Sequence, residues 1–159
     1  MLETDPQHIG GAIGRIPSGC AILTTAHGNR STGLLVSWVQ QAGFAPPCIT
    51  VAIKVGRPAA SLIDASACFL LNVVGEDAAA MLQHFGQGFS LDDDAFEGLA
   101  VEATAFGPAV KACIAHLACR VRQKVRVGDH DLYVAEVVGG DTTAGAKPYV
   151  HIRKNGLTY

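Results

Sequence analysis

The cysteine and histidine residues of this chain include one group with the chemistry of metal ligands, Cys113-x-x-His116-x-x-Cys119. Zinc takes thiolate and imidazole ligands and usually needs four of them. On a strand the two thiols would face one side and the imidazole the other, because successive side chains alternate. On a helix the three would spread over roughly a third of the circumference and still lack a fourth ligand. We therefore expect no metal at this group.

The junction Gly56-Arg57-Pro58 combines a helix start with positive charge. Pro58 suits the first position of a helix, Ser61 lies one turn inside, and Lys54 and Arg57 stand at its mouth. The backbone N–H groups of a helix N-terminus, together with two cations, make a seat for a phosphate. The alternative is an arginine that is only solvated in front of a helix.

The segment Ser37-Trp38-Val39-Gln40-Gln41 places a hydroxyl, an indole and two amides directly after an apolar strand. A plain hairpin would favour Gly, Asn or Asp at this point. Polar groups gathered at the rim of a barrel can hydrogen-bond a flat heteroaromatic ring. An ordinary polar loop is the alternative, and these residues alone favour neither interpretation.

The elements that must position these groups are mostly strands. Apolar and β-branched runs predict strands over 20–26, 31–38, 49–54 and 67–74, with a turn at 27–30. Alanine-rich segments that begin with Pro or Asp predict helices over 58–65 and 77–85. Asp5 before Pro6 predicts the N-cap of a short first helix.

Charged and apolar residues alternate over 120–127, in the order Arg-Val-Arg-Gln-Lys-Val-Arg-Val. This period of two predicts a strand that is wetted on one face and largely buried on the other. A turn at 128–131 then leads into a return strand over 132–138. Many strands, few helices and short polar turns together predict a mainly β fold, a small antiparallel barrel with flanking helices.

Length and composition exclude several classes of protein. The 159 residues predict a single domain, and 49% hydrophobic against 16% charged residues excludes a disordered chain. Twelve basic and fourteen acidic residues form no basic cluster, so we expect no nucleic-acid or membrane partner. The uncharged stretch over 33–53 is interrupted by polar residues and two prolines, which argues against a membrane span.

The cysteines and the first residues of the chain predict a cytoplasmic location. The five cysteines are widely spaced and each lies beside apolar residues, which is typical of reduced, packed thiols. The sequence MLETDPQH is acidic and lacks the apolar core of a signal peptide.

The glycines never fall in the dinucleotide-binding pattern GxGxxG, and the phosphate-binding pattern GxxxxGK[ST] does not occur.

An ordered series of short motifs resembles the flavin reductase-like domain family over about residues 9–154. The motifs are Arg15-Ile-Pro-Ser-Gly19, Leu34-Leu-Val-Ser-Trp-Val-Gln-Gln41, Pro46-Pro47, Val51-Ala-Ile-Lys54, Arg57-Pro58, Phe69-Leu-Leu-Asn-Val73, His84-Phe-Gly86, Gly128-Asp-His130 and Pro148-Tyr-Val-His151. The stretch 37–41 and the ending 153–159 are most similar to the subgroup fused to flavodiiron proteins in cyanobacteria. The resemblance implies an FMN-binding, antiparallel split β-barrel that forms a homodimer.

The resemblance also implies which residues contact the flavin. They are Ser37, Trp38, Val39, Gln40 and Gln41 along the isoalloxazine and ribityl chain; Ala52, Ile53 and Lys54 at a strand end; Arg57 and Ser61 toward the phosphate; and Phe85 and Gly86 in a turn near the flavin. Gly86 stands where the family commonly has alanine. His130 is the implied catalytic residue, and Tyr149 and His151 are secondary carry-overs.

The function implied is that of an NAD(P)H:flavin oxidoreductase. NADH or NADPH would pass a hydride to FMN, with FAD as the alternative flavin, and the reduced flavin would pass electrons to an acceptor protein or a monooxygenase. One alternative is an FMN-binding electron-transfer module that never meets a nicotinamide and is reduced by a ferredoxin or rubredoxin. Another is a barrel without flavin that holds a different ligand, such as haem.

Overall fold

The computed structural model describes residue 2 and residues 4–158. Its helices are α1 (Pro6–Ile13), α2 (Pro58–Ser66) and α3 (Ala79–Gly86). Its strands are β1 (Ser18–Gly19), β2 (Ala21–His27), β3 (Arg30–Val36), β4 (Val39–Phe44), β5 (Pro47–Lys54), β6 (Cys68–Val73), β7 (Val101–Glu102), β8 (Ala109–Val110), β9 (Ala115–Val127), β10 (His130–Thr142) and β11 (Val150–His151). The fold is therefore mainly β with flanking helices, as predicted.

The predicted helices are present. The carboxylate of Asp5 caps α1 by accepting a hydrogen bond from the Gln7 N–H at 2.8 Å. α2 begins at Pro58, and Arg57 occupies its N-cap in extended backbone conformation. α3 begins at Ala79, two residues after the predicted start. Within the described residues, no helix combines the length and apolar character needed to cross a membrane.

The larger strands form one antiparallel sheet in the order β3–β2–β6–β9–β10–β5–β4. Buried side chains from both ends of this order share one core, which includes Val36 of β3, Leu71 of β6, Tyr133 of β10 and Val51 of β5. The sheet therefore curls around a common interior, consistent with a split barrel. α2 packs on this core through Ile63.

Two-residue turns close two hairpins of the sheet, β2–β3 at one edge and β9–β10 in the middle. Gly28, at φ +61°, joins β2 to β3, and Gly128, at φ +58°, joins β9 to β10. A positive φ at this position suits glycine because it has no Cβ. The second turn places His130 at the first position of β10, opposite Lys54 of β5.

The predicted burial of the valines in β9 is wrong for its second half. Val121 packs against the core, but Val125 and Val127 are 38% and 57% exposed. The register shifts by one residue between the pairs Val121–Ala135 and Gln123–Val134, which marks a β-bulge in β9. A one-residue bulge exchanges the two faces of everything that follows it.

The bulge brings the charged residues of β9 to the side of α2. Lys124 pairs with Asp64 of α2 at 2.7 Å, and Arg126 pairs with the buried Asp131 at 2.6 Å. The Arg126 guanidinium holds the pKa of Asp131 below its ordinary value of 3.8. The opposite face of the hairpin is consequently apolar and exposed, and it carries Val125 and Val127.

Candidate functional site

Two cavities adjoin each other where the ends of β3 and β5 meet the C-terminal segment 153–158. The first has a volume of about 520 Å³ and the second of about 650 Å³. Both are lined by Trp38, Ala52, Lys54, Arg153 and Thr158, so the two share a wall.

The first cavity combines apolar walls with positive charge. Its apolar side chains come mainly from β3 and α3. Its charged side chains are Lys54, Arg57, Arg153 and Lys154, and among the described residues that line it there is no carboxylate. Four cations around one cavity, in a chain whose net charge is −2, favour an anionic ligand.

Arg57 is positioned by the start of α2. Its backbone ends the turn after β5, and its guanidinium extends to the loop after α3, where Nη1 lies 3.8 Å from the position that a Cβ on Gly88 would occupy. Among the described residues, no side chain caps α2 by a hydrogen bond, so its first N–H groups have no side-chain partner at the cap. Ser61 is exposed and its hydroxyl donates to the Pro58 carbonyl at 2.9 Å, within the helix.

Trp38, His130 and Arg153 form a cluster of contacting side chains at the wall between the cavities. The Trp38 and His130 ring centroids are 4.6 Å apart, and the Arg153 guanidinium carbon lies over the indole at 4.8 Å from its centroid. The Nδ1 of His130 lies 2.8 Å from the Asp129 carboxylate. The hydrogen bond from His130 lowers the pKa of Asp129 below its ordinary value, so His130 donates to an ionised partner.

Phe85 of α3 forms a buried part of the first cavity's wall and depends on a glycine opposite it. A Cβ on Gly33 of β3 would lie 2.4 Å from the Phe85 ring, so only glycine lets the ring pack against the strand. The neighbouring Gly86 differs, because a Cβ there would meet Leu35 at 3.9 Å, an ordinary contact. The structure thus has room for the alanine that is common in the family at this position.

The C-terminal segment is held against α1 by close backbone approach. The Gly156 N–H donates to the Gly10 carbonyl at 2.6 Å. A Cβ on Gly14 would lie 2.7 Å from the Arg153 carbonyl oxygen, and one on Gly156 would lie 2.3 Å from the Ile13 side chain. α1 therefore fixes the backbone that carries Arg153, Lys154 and Thr158 into the cavity walls.

The structure brings most of the expected residues together. Those that line the first cavity are Ser37, Trp38, Ala52, Ile53, Lys54, Arg57, Phe85 and Gly86, together with Tyr149 and His151. His130 lines the second cavity. Val39 packs on the core from the edge strand β4, and Gln40, Gln41 and Ser61 are exposed and line neither cavity. The flavin contacts of all these residues stay predictions.

The cations of segment 153–158 are the main residues that the sequence reasoning did not place in a site. The sequence contains two signals in this part of the chain, namely the motif that ends at His151 and the resemblance of 153–159 to one subgroup. Neither assigns Arg153 or Lys154 to a cavity, because their placement depends on the distant helix α1.

The cysteine and histidine group forms no ligand set. Among the described residues, no three His, Cys, Asp or Glu side chains are placed to hold a metal ion. His116 lies between the Asp141 carboxylate at 2.8 Å and the Val110 carbonyl at 3.1 Å. Burial raises the pKa of Cys113 to about 11 and that of Cys119 to about 12, so both thiols stay protonated and inert.

The sequence pattern of the Flavin reductase like domain matches residues 13–156. The chain belongs to this family. It is 34% identical over 151 residues to diflavin flavoprotein A 1 of Synechocystis, an alignment that covers 93% of this chain and 26% of that protein. The chain thus spans about a quarter of the length of the curated relatives it matches.

Solved structures confirm the fold. The NADH:FAD oxidoreductase SgcE6 of Streptomyces globisporus superposes with a TM-score of 0.87 at 17% identity, covering 98% of this chain and 94% of that one. The FMN-binding protein of Thermus thermophilus superposes with a TM-score of 0.77 at 16% identity, covering 86% and 82%. At these identities the likeness shows the architecture alone.

Proposed function

We propose that this chain binds FMN in the first cavity and uses it to accept a hydride from NADH or NADPH. The observation that carries the proposal is the meeting of Lys54, Arg57 and the start of α2 with Trp38 and Phe85 around one cavity, whose described lining residues include no carboxylate. Its volume of about 520 Å³ lies within the roughly 300–1,000 Å³ of typical cofactor sites. Membership of the flavin reductase-like family supports the choice of ligand.

The residues present fit a flavin mononucleotide. The N–H groups at the start of α2, with Lys54 and Arg57, would neutralise the phosphate. Trp38 and Ser37 would lie along the ring, and the apolar side chains of β3 and α3 would exclude water from it. Bound FMN supplies the hydride-accepting chemistry, so the protein's part is to bind, orient and shield. FAD is the alternative flavin.

His130 is the residue we propose beside the reacting nicotinamide. It lines the second cavity, contacts Trp38 of the shared wall in a tilted ring arrangement, and is oriented by its hydrogen bond to ionised Asp129. A nicotinamide entering from the second cavity would therefore meet an imidazole whose ring orientation is already fixed. The proposed role is positioning of the nicotinamide, since hydride transfer to a flavin needs no acid or base from the protein.

We further propose a homodimer and an external electron acceptor, either a partner flavoprotein or a monooxygenase. The exposed Val125 and Val127 create an apolar face on the hairpin. This face adjoins the second cavity, because Val127 and the exposed Leu157 line that cavity. Contiguous apolar side chains of this kind are typical of protein contacts. Sedimentation velocity tests the dimer, and a monomeric species would overturn this part of the proposal.

The first experiment is the visible spectrum of the purified protein with FMN, recorded anaerobically before and after NADH and then NADPH. Bleaching of the flavin bands by either nucleotide is the expected result. A flavin spectrum that survives both would assign the chain as an electron-transfer module instead. A protein that takes up no FMN would overturn the flavin site itself.

Arg57→Ala tests the phosphate assignment. We expect it to weaken FMN binding by about 10- to 100-fold, the range for losing a charge-assisted hydrogen bond, while hydride transfer at saturating FMN changes less. Arg30→Ala is the matched control, because Arg30 is exposed, pairs with the exposed Asp92 and lines neither cavity. Equal FMN affinity in the two variants would show that Arg57 does not hold the phosphate.

A further inference from the structure

The two adjoining cavities together form a cleft. Its four cations fall into two pairs, which are carried by different parts of the chain. Lys54 and Arg57 belong to the junction of β5 and α2, and Arg57 extends toward Gly88. Arg153 and Lys154 belong to the C-terminal segment, and Arg153 lies over Trp38. The two arginines thus occupy different parts of the wall, so a single phosphate at the start of α2 leaves the second pair with no role.

Arg153 is held in a way that suits ligand recognition. A guanidinium carbon placed over an indole gains cation–π attraction while the N–H donors at its edge stay available to an anion. Several basic residues outside the two cavities pair with carboxylates, as Arg122 does with Glu136 and Lys111 with Glu102. Among the residues that the structure describes, Asp129 is the one carboxylate that lines the second cavity, and it accepts from His130.

The support of this pair is pre-formed. The contacts of Gly14 and Gly156 fix the segment on α1 at distances that a Cβ would not permit. Arg153 also lines both cavities, so its charge reaches the space on each side of the shared wall. Pre-organised cations lower the entropy cost of binding an anion.

We propose that Arg153 and Lys154 form a second phosphate-recognition site, which binds a phosphate of the pyridine dinucleotide while Lys54 and Arg57 bind that of the flavin. This inference rests on the proposed function, because it assumes that a dinucleotide enters beside bound FMN. FMN carries one phosphate, whereas NAD⁺ carries two and NADP⁺ three. The extra phosphates are what the second pair of cations would recognise.

The test is calorimetric titration of the FMN-loaded protein with NAD⁺ and with NADP⁺, which bind without transferring hydride. We expect the double variant Arg153→Ala/Lys154→Ala to bind both nucleotides about 10- to 100-fold more weakly, with FMN affinity within threefold of the wild type. Arg57→Ala should show the reverse pattern, and Arg30→Ala should change neither affinity. Loss confined to NADP⁺ would identify the 2′-phosphate as the bound group, and loss for both would identify the diphosphate.

Four results would overturn the inference. The double variant could bind both nucleotides like the wild type, or the wild type could bind neither. The double variant could also weaken FMN as much as Arg57→Ala does, or weaken FAD while leaving NAD⁺ unchanged, which would assign the pair to the flavin. If the double variant unfolds, the single variants Arg153→Lys and Arg153→Ala replace it, because Arg153→Lys keeps the positive charge. Unchanged nucleotide binding by Arg153→Lys together with weaker binding by Arg153→Ala would confirm a role for the charge of Arg153. Failure of the proposed function is distinct, since it appears as wild-type flavin that neither NADH nor NADPH bleaches.

Discussion

The contact between α1 and the C-terminal segment can be tested with two glycines on the same helix. Gly11 lies inside α1 and a Cβ there would meet nothing within 4 Å. Gly14, at the C-cap, has ordinary helical backbone angles of φ −60° and ψ −16°, so alanine is not excluded by conformation. A Cβ on Gly14 would nevertheless lie 2.7 Å from the Arg153 carbonyl oxygen and 3.1 Å from the Lys154 carbonyl carbon.

The two alanine variants should therefore change stability in opposite directions. Gly11→Ala should stabilise the protein by about 0.5–1 kcal/mol, because alanine loses less backbone entropy in a helix. Gly14→Ala gains part of the same entropic stabilisation, but its Cβ would push the backbone at Arg153 away from α1. Overpacking of this kind costs about 1–3 kcal/mol. We expect a net loss for Gly14→Ala and a gap of roughly 1–4 kcal/mol between the variants.

Urea unfolding followed by tryptophan fluorescence measures both effects. Trp38 is the one tryptophan of the chain and carries Arg153 over its ring. Gly14→Ala should also shift native-state emission, since Arg153 moves with the segment, whereas Gly11→Ala should leave it unchanged. Equal stabilisation by the two substitutions would refute the close packing of α1 on the C-terminal segment.

Two further predictions concern the wall of the cavity and the hairpin. Gly33→Ala should destabilise by about 1–3 kcal/mol, because its Cβ would overlap the buried Phe85 ring. Phe85→Leu in the same chain should recover part of that loss, and strictly additive unfolding free energies would contradict the contact. The pKa of Asp131 is lowered in the folded protein by its ion pair with Arg126. The stabilisation from this ion pair is therefore fully present at pH values above 3.8, the ordinary pKa of the carboxyl group, and is lost as the pH falls through the lowered pKa. Asp131→Asn should therefore flatten the acid limb of unfolding free energy against pH, while Asp92→Asn should not; parallel acid limbs for Asp131→Asn and wild type would be the contrary result.

The sequence was informative where local chemistry decides structure. Pro58 after a basic turn marks the start of α2, and Gly128 marks the turn that presents His130, because both depend on neighbouring residues alone. The order of motifs placed eight of the expected residues around the first cavity. The fold class followed from the number of short apolar runs and polar turns.

Features that depend on distant contacts were not predictable in this way. The alternation over 120–127 shows two faces, but the bulge that exchanges them arises from pairing between β9 and β10. Arg153 looks like any charged residue near a chain end, and only its docking on α1 brings it over Trp38. The glycines that permit this docking also serve helices and turns elsewhere, so their spacing alone gives no signal.

The contact between α1 and segment 153–158 also determines when the two cavities become complete during synthesis. Along the chain α1 precedes the whole seven-stranded sheet and the segment follows it. Contacts of such long sequence separation form late in folding, because the chain between them must be ordered first. The sheet therefore has to form before the two cavities are complete, and any ligand that binds in them can stabilise only the completed domain.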